Sequence, residues 1–327
     1  MQIKKILKII TVNILLIFII FAFAELFLST KEYMRVEKEN TLRRISQGIP
    51  PSDNFDFQRY YNEMKHKYLN LGTLNIGLDD FRTPIIKPLS DKLPVIILGC
   101  SFAYGDKLNN DENFSGQLAK HTNRTIYNLG LGGHSHKSAL YIMREYFPFI
   151  NKHILKDNNQ AEYVIYVYIN DHLRRQYLNI THQVTIEYEP VEINNRIHLK
   201  REKINKLLVC KDLSLYRALQ EIWLEYQINN NFEQIFNLFC LYMTEINNEI
   251  KTKFHAKDKP TKFIILVYNE YGNEDWNRLR NQGIKVIELN KILEVDINES
   301  KYKLLDGHPN AEAWKVITPK VIEYLNL

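Results

Sequence analysis

The chain has few cysteines, the residues that form disulfides. It contains three cysteines in 327 residues, and the spacing of Cys100, Cys210 and Cys240 fits no metal site. A Cys210–Cys240 disulfide is compatible with the sequence only if that part of the chain lies outside the cytoplasm. Although the net charge is +5, no block of lysine or arginine stands out, so nucleic acid is not a predicted partner.

Glycine is also scarce, with 12 residues in the whole chain. Half of them fall between positions 99 and 133: Gly99, Gly105, Gly116, Gly130, Gly132 and Gly133. Glycine is used where the backbone must take a positive φ or approach another group closely. The concentration of glycine predicts that this segment carries the site.

Only one apolar run is long. Residues 9–28 contain three polar side chains and follow a short stretch with three lysines. Because about 20 apolar residues cross a membrane, the sequence predicts a signal anchor over residues 1–28, with the folded domain outside the cytoplasm. A signal peptide cleaved after Ala24 is the alternative, but the apolar run continues past Ala24, which favours the anchor. Residues 29–92 lack a strong pattern and are interpreted as a juxtamembrane linker.

From residue 93 onward, short apolar runs alternate with helical patterns, which is typical of parallel βαβ units. The predicted strands are Val95–Leu98, Thr125–Leu129, Tyr163–Ile169, Lys262–Tyr268 and Lys285–Leu289, and the predicted helices are Asn113–His121, His136–Ile150, Glu274–Gln282 and Asn310–Leu325. The sequence thus predicts one α/β domain over residues 93–327, with a parallel sheet of about five strands. An insertion, residues 172–258, interrupts the alternation with a predicted hairpin turning at Asn194-Asn195 and two helices that separate near residues 229–231.

Four polar segments occupy places where a parallel sheet positions its ligands. Ser101 follows the first strand, a Gly-Leu-Gly-Gly segment follows the second, Asn170 ends the third, and Asp306 and His308 precede the last helix. Because open parallel sheets bind ligands at the carboxyl ends of their strands, these segments are predicted to meet. Ser101 is then a candidate nucleophile, and His308 is a candidate general base. Asp306 can hold the ring of His308 in place. The Asn170 amide can donate to an oxyanion.

Each segment alone has an ordinary structural explanation, such as a turn or a helix cap, and their joint occurrence is what favours a site. Cys100 is an alternative nucleophile, although a small buried residue is the favoured interpretation. Three histidines, His134, His136 and His172, suggest a metal. They lack a supporting carboxylate or cysteine, so no metal is predicted.

From Leu93 to Leu327, the order Gly-x-Ser, Asn-x-Gly-x-x-Gly, Asn-Asp and Asp-x-His-Pro-Asn resembles the SGNH/GDSL hydrolase family. The resemblance implies a flavodoxin-like three-layer α/β sandwich and ester chemistry that needs no metal or nucleotide cofactor. It implies that Ser101 is the nucleophile, His308 the base and Asp306 its partner. The backbone N–H groups of Ser101 and Gly133, with the Asn170 amide, would form the oxyanion hole.

Three residues depart from the family pattern. Cys100 stands where the family signature has an aspartate, and little loss is expected from this change. Tyr168 replaces a glycine two residues before Asn170, which is expected to reshape the pocket there. Asp306 precedes His308 by two residues rather than three, a shorter spacing than that of the family pattern.

The implied function is a serine esterase or deacylase that acts on ester-linked acyl groups, acetyl included, of a cell-envelope glycan or lipid. The anchor resembles that of family members associated with envelope polysaccharides, which implies the bacterial periplasm or cell surface. Two alternatives stay open: an O-acetyltransferase of a surface polysaccharide that uses the same site, and a non-catalytic envelope assembly protein. The presence of all four segments argues against the last.

Overall fold

The computed structural model describes Phe21 and residues 92–144, 147–155, 159–175, 188–193, 196–201, 214–254 and 259–327. The chain divides into two compact units, residues 1–57 with 204–230, and residues 58–203 with 231–327. In the first unit, the structure describes Phe21 and the helical residues 214–230. The second unit holds the sheet and every candidate site residue.

A five-stranded parallel sheet is the centre of the second unit. The strands among the described residues are β1 (Val95–Gly99), β2 (Ile126–Asn128), β3 (Tyr163–Tyr168), β4 (Tyr188–Ile193), β5 (Arg196–Arg201), β6 (Lys262–Val267) and β7 (Lys285–Glu288). The order across the sheet is β2-β1-β3-β6-β7, and all neighbours pair in parallel. The five predicted strands are confirmed. Their physical basis is that strands of such continuous apolar character belong in a parallel sheet covered on both faces.

The helices are α1 (Ser101–Tyr104), α2 (Phe114–Thr122), α3 (His136–Arg144), α4 (Phe147–Ile150), α5 (Asp171–Arg174), α6 (Ser214–Lys253), α7 (Asn277–Arg280), α8 (Leu289–Ile292) and α9 (Ala311–Leu325). A π-helical turn, Asn151–Leu155, follows α4, and a 3₁₀ turn covers Ser300–Tyr302. The helix predicted over 274–282 is longer than the observed helix α7. The Glu274 carboxylate accepts the N–H groups of Tyr271 and Gly272, which makes a turn before α7.

Helices cover both faces of the sheet. On one face, Ile97, Ile165 and Leu266 belong to a buried cluster that includes Phe114 of α2 and Trp314 of α9. On the other face, the ring of Tyr168 lies 5.0 Å from that of Phe239 in α6. The side chains alternate between the two faces along each strand. The three layers expected from the family resemblance are therefore present.

The part of the insertion that follows Asn231 contributes to the second of these layers through Phe239. β4 and β5 form an antiparallel hairpin in which Ile193 faces Arg196, as the Asn194-Asn195 signal predicts. Asn231 in α6 has φ −125° and ψ 21°, so the helix is interrupted at the predicted place. Cys240, after this interruption, is a buried free cysteine, and Cys210 lies outside the described residues. The structure thus shows no disulfide at Cys240.

In the described part of the chain, no helix combines the length and the apolar character needed to span a membrane. The predicted anchor, residues 9–28, lies outside the described residues except for Phe21. The predicted linker, residues 29–92, does so except for Lys92.

The strand order locates the crevice of the sheet. From β1 the chain moves to β2 on one side and then returns to β3 on the other side. In open α/β sheets, ligands bind at the carboxyl edge where the strand order reverses in this way. The residues that follow β1 and β3, among them Ser101 and Asn170, stand at this point.

Candidate active site

Ser101 begins a helical turn immediately beyond β1. Gly99 ends the strand with φ +141°, and a Cβ there would lie 2.9 Å from the carbonyl oxygen of Val167. Only glycine fits this conformation and this spacing. α1 then ends at Gly105, whose N–H donates to the Ser101 carbonyl at 2.9 Å. The two glycines thus hold Ser101 in a short, sharp turn at the carboxyl edge of the sheet.

The loop before α9 carries His308. In this loop, the Leu304 N–H donates to the His308 carbonyl at 2.7 Å. Asn310 caps α9 by accepting the Ala313 N–H, and its amide donates to the Lys301 carbonyl. Asn310 is therefore a helix cap, and this same cap holds the adjoining loop in place. The histidine is fixed two residues before the cap of a well-anchored helix.

The structure brings Ser101, His308 and Asp306 together. The distance between Ser101 Oγ and His308 Nε2 is 2.7 Å. Asp306 Oδ2 lies 3.1 Å from His308 Nδ1, an ion-pair distance. The Nδ1 atom nevertheless makes no hydrogen bond of good geometry within the described part of the chain. The arrangement has the order nucleophile, base and carboxylate of a catalytic triad, with a loose contact between the last two.

The carboxylate of Asp306 is held from several sides. Its Oδ1 accepts the backbone N–H of His308 at 3.2 Å, and its Oδ2 is ion-paired with Lys107 Nζ. Burial alone would raise the pKa of Asp306, but the contacts with His308 and Lys107 outweigh burial and lower this pKa below its ordinary range. Asp306 is therefore an anion at neutral pH, and an anion at this position stabilises a protonated His308 ring.

The loop after β2 lies against the turn that carries Ser101. The Asn128 amide donates to the Ala103 carbonyl at 2.8 Å, and its Oδ1 accepts the Gly130 N–H at 3.0 Å. A Cβ on Gly130 would lie 2.8 Å from the backbone nitrogen of Tyr104, so this close approach requires glycine. Gly133, farther along the loop, has φ +77°. The loop is thus fixed beside α1, where the resemblance expects an oxyanion donor.

Asn170 occupies the corresponding place after β3. Its backbone N–H donates to Asn269 Oδ1 at 2.9 Å, which ties the ends of β3 and β6 together. Asn269 was missed in the sequence, although it follows a predicted strand in the same way as Asn170. Tyr168, which was expected to reshape the pocket beside Asn170, is instead fully buried. Its hydroxyl donates to Glu274, and its ring packs against α6.

Cys100 and Ser101 lie in different environments. Cys100 is completely buried, and burial raises the pKa of its thiol although Arg175 acts in the opposite direction. A thiol kept neutral in this way is a poor nucleophile. The neighbouring Ser101 hydroxyl, by contrast, is the group next to the His308 ring. The geometry favours Ser101 over Cys100 as the nucleophile.

The three histidines singled out in the sequence are buried, and they lie close to Arg175. The Arg175 guanidinium donates to the His134 carbonyl at 2.5 Å. Burial first, and Arg175 second, lower the pKa of His134 to about 3. The pKa values of His136 and His172 are also lowered, chiefly by burial. Among the described residues, no group of three or more His, Cys, Asp or Glu side chains has a metal-binding arrangement.

No protein-family model matches the chain. No curated protein matches it either. Several solved structures are similar to it at 10% sequence identity. The first, from Desulfitobacterium hafniense, is assigned to the G-D-S-L family of lipolytic proteins; the similarity covers 71% of this chain and 99% of that one, with a TM-score of 0.35.

Two further solved structures are described as esterases. The psychrotrophic esterase EstA from a Pseudoalteromonas species matches over 72% of this chain and 100% of its own, with a TM-score of 0.39. A catalytic mutant of the acetylxylan esterase Axe2 from Geobacillus stearothermophilus matches over 74% and 97%, with a TM-score of 0.35. These three structures are thus described as one lipolytic protein and two esterases.

Proposed function

We propose that the protein is a serine esterase of the SGNH/GDSL type, which removes acyl groups from an ester-bearing glycan or lipid of the cell envelope. The observation that carries the proposal is the 2.7 Å distance between Ser101 Oγ and His308 Nε2 at the carboxyl edge of the sheet. A base at this distance can take the hydroxyl proton as the oxygen attacks an ester carbonyl.

In the proposed mechanism, Ser101 Oγ attacks the carbonyl carbon while His308 takes the hydroxyl proton. The negative charge of Asp306 stabilises the imidazolium that forms. His308 then gives the proton to the leaving alcohol oxygen, and the acyl group stays on Ser101. Water, deprotonated by His308, releases the carboxylic acid in the second half of the reaction. A sugar hydroxyl in place of water would make the same site an acetyltransferase.

Turnover of p-nitrophenyl acetate by the full-length chain in detergent tests the proposal. Purified protein should release p-nitrophenol and free acetate, and a fluorophosphonate should inactivate it by labelling one serine. The same assay with an added glycan acceptor distinguishes hydrolysis from transfer, because transfer would appear as acetylated glycan at the expense of acetate. Purified wild-type protein that neither turns over the ester nor reacts with the probe would contradict the proposal.

Asn170→Ala is expected to lower kcat by about 10²- to 10³-fold, the usual cost of losing one oxyanion donor, with a much smaller change in KM. The physical reason is that the amide interacts with the charge that develops on the carbonyl oxygen, which the ground state lacks. Asn170→Asp is the matched variant, since it keeps the shape and removes the N–H donor. A kcat within about twofold of wild type in Asn170→Ala would remove Asn170 from the oxyanion hole.

We also propose that residues 9–28 stay attached and hold the catalytic unit outside the cytoplasm. The support is the apolar run that continues beyond Ala24. The protein is expected to remain in the membrane pellet after a carbonate wash, and a protease added to intact spheroplasts is expected to digest it. A soluble mature protein that begins at Glu25 would show that the segment is a cleaved signal peptide.

A further inference from the structure

Lys107 has an unusual backbone. Three non-glycine residues in the described part of the chain have positive φ: Lys107 at 63°, and Asn123 and Asn326 at 53°. The two asparagines follow the last residues of α2 and α9, a place where asparagine commonly adopts this conformation. A lysine has no such preference, and a strained backbone persists only where the surrounding structure enforces it.

The side chain of Lys107 reaches the candidate triad. Its Nζ pairs with Oδ2 of Asp306, a residue 199 positions away in the chain. This Oδ2 is the same oxygen that lies 3.1 Å from His308 Nδ1. Both partners are partly shielded, with the Lys107 side chain 29% exposed and that of Asp306 16% exposed. The contact is therefore less screened by water than a pair on the open surface.

The short Asp-Gly-His spacing explains why the Asp306 carboxylate needs Lys107 in addition to its two contacts with His308. Asp306 Oδ1 accepts the N–H of the second residue along, His308, a local bond typical of aspartate in turns. This bond turns the carboxylate back on its own loop, and Nδ1 is left near Oδ2 without a well-aligned hydrogen bond. With one oxygen committed to the backbone, the direction of the other depends on what it contacts.

We infer that Lys107 is a positioning residue for the triad, which holds Oδ2 of Asp306 beside His308 Nδ1 and takes over the orienting role that the shortened Asp-x-His spacing leaves incomplete. The inference rests on the proposed function, because orientation of the ring matters only if His308 is the base. Lys107 touches neither Ser101 nor the reacting atoms and acts through Asp306.

Lys107→Met tests the inference, because methionine keeps most of the length of the side chain and removes its charge. The kcat for p-nitrophenyl acetate should fall about 10- to 100-fold, the scale of a displacement of about 1 Å in a catalytic group, with KM nearly unchanged. The acidic limb of the pH profile should move, because Lys107→Met removes a charge beside the carboxylate that pairs with the His308 ring. Lys107→Arg, which keeps the cation, should recover most of the rate and the wild-type profile.

Lys107→Gly separates positioning from support of the fold. Glycine adopts φ +63° without strain, so this variant should lose activity as Lys107→Met does while melting at a higher temperature than Lys107→Met. Asn123→Gly is the control, because it changes another residue of positive φ that is not part of the site. It should leave kcat and the pH profile unchanged.

Wild-type rates and an unchanged pH profile in Lys107→Met would overturn the inference while the proposed function stands. A higher kcat in Lys107→Met would overturn it as well, since Lys107 would then divert Asp306 from His308. Equal losses of kcat in Lys107→Met and Lys107→Arg would also overturn the inference, because they would show that the positive charge of Lys107 does not position Asp306. If the wild-type protein shows no ester turnover and no labelling, the proposed function fails, and this inference fails with it.

Discussion

Ser101→Ala is expected to lower kcat for the ester on the order of 10⁶-fold, the usual loss when the nucleophile of a serine hydrolase is removed. The reason is that the Ser101 hydroxyl lies 2.7 Å from the His308 ring. The fluorophosphonate should label the wild type and leave Ser101→Ala unlabelled. The melting temperature should change little, because removal of one hydroxyl creates almost no cavity.

Cys100→Ala is the matched control, because it changes the adjacent residue and removes the competing nucleophile. Cys100 is buried and its thiol has a raised pKa, so this variant should keep its labelling and most of its turnover. Labelling that persists in Ser101→Ala and disappears in Cys100→Ala would assign the reaction to the cysteine. The two variants together decide which atom forms the acyl-enzyme.

The sheet could be predicted from the sequence because its strands are apolar on both faces. The run 263–267 is entirely apolar, and the structure buries it in β6. Such a run has one stable position, in the middle of a covered sheet. Ser101 and Asn170 were found by the same rule, since residues just beyond such strands stand at the ligand-binding edge. Asn269 satisfies that rule too, and applying it to β6 would have found this residue.

Other features depend on contacts between distant segments and have no local signal. The Lys107–Asp306 pair joins residues 199 positions apart, and the positive φ of Lys107 runs against the preference of lysine. Tyr168 was interpreted from its position two residues before Asn170 in the sequence. Alternation along β3 instead turns the Tyr168 side chain toward Phe239 of the insertion. The role of a residue at a strand end depends on the face of the sheet that its side chain occupies. A shift of one residue along the strand moves the side chain to the opposite face.

Loss of His308 is expected to cost nearly as much as loss of Ser101, because a serine hydroxyl without a base is a weak nucleophile at neutral pH. His308→Ala should lower kcat by roughly 10⁴- to 10⁶-fold. The fluorophosphonate should label this variant far more slowly than the wild type. The ring of Phe102, 5.0 Å from that of His308, should keep its place against Tyr268, so the fold should be preserved.

The double variant Ser101→Ala/His308→Ala provides the stricter test. If the two residues act as one unit, removing the base after the nucleophile has gone should change kcat by no more than a few-fold, as in other triads. Adding Asn170→Ala to Ser101→Ala should behave differently, since the oxyanion hole supports the residual rate that remains without the triad. Losses that multiply in Ser101→Ala/His308→Ala would mean that His308 acts independently of Ser101, and the 2.7 Å contact would then not be the catalytic one.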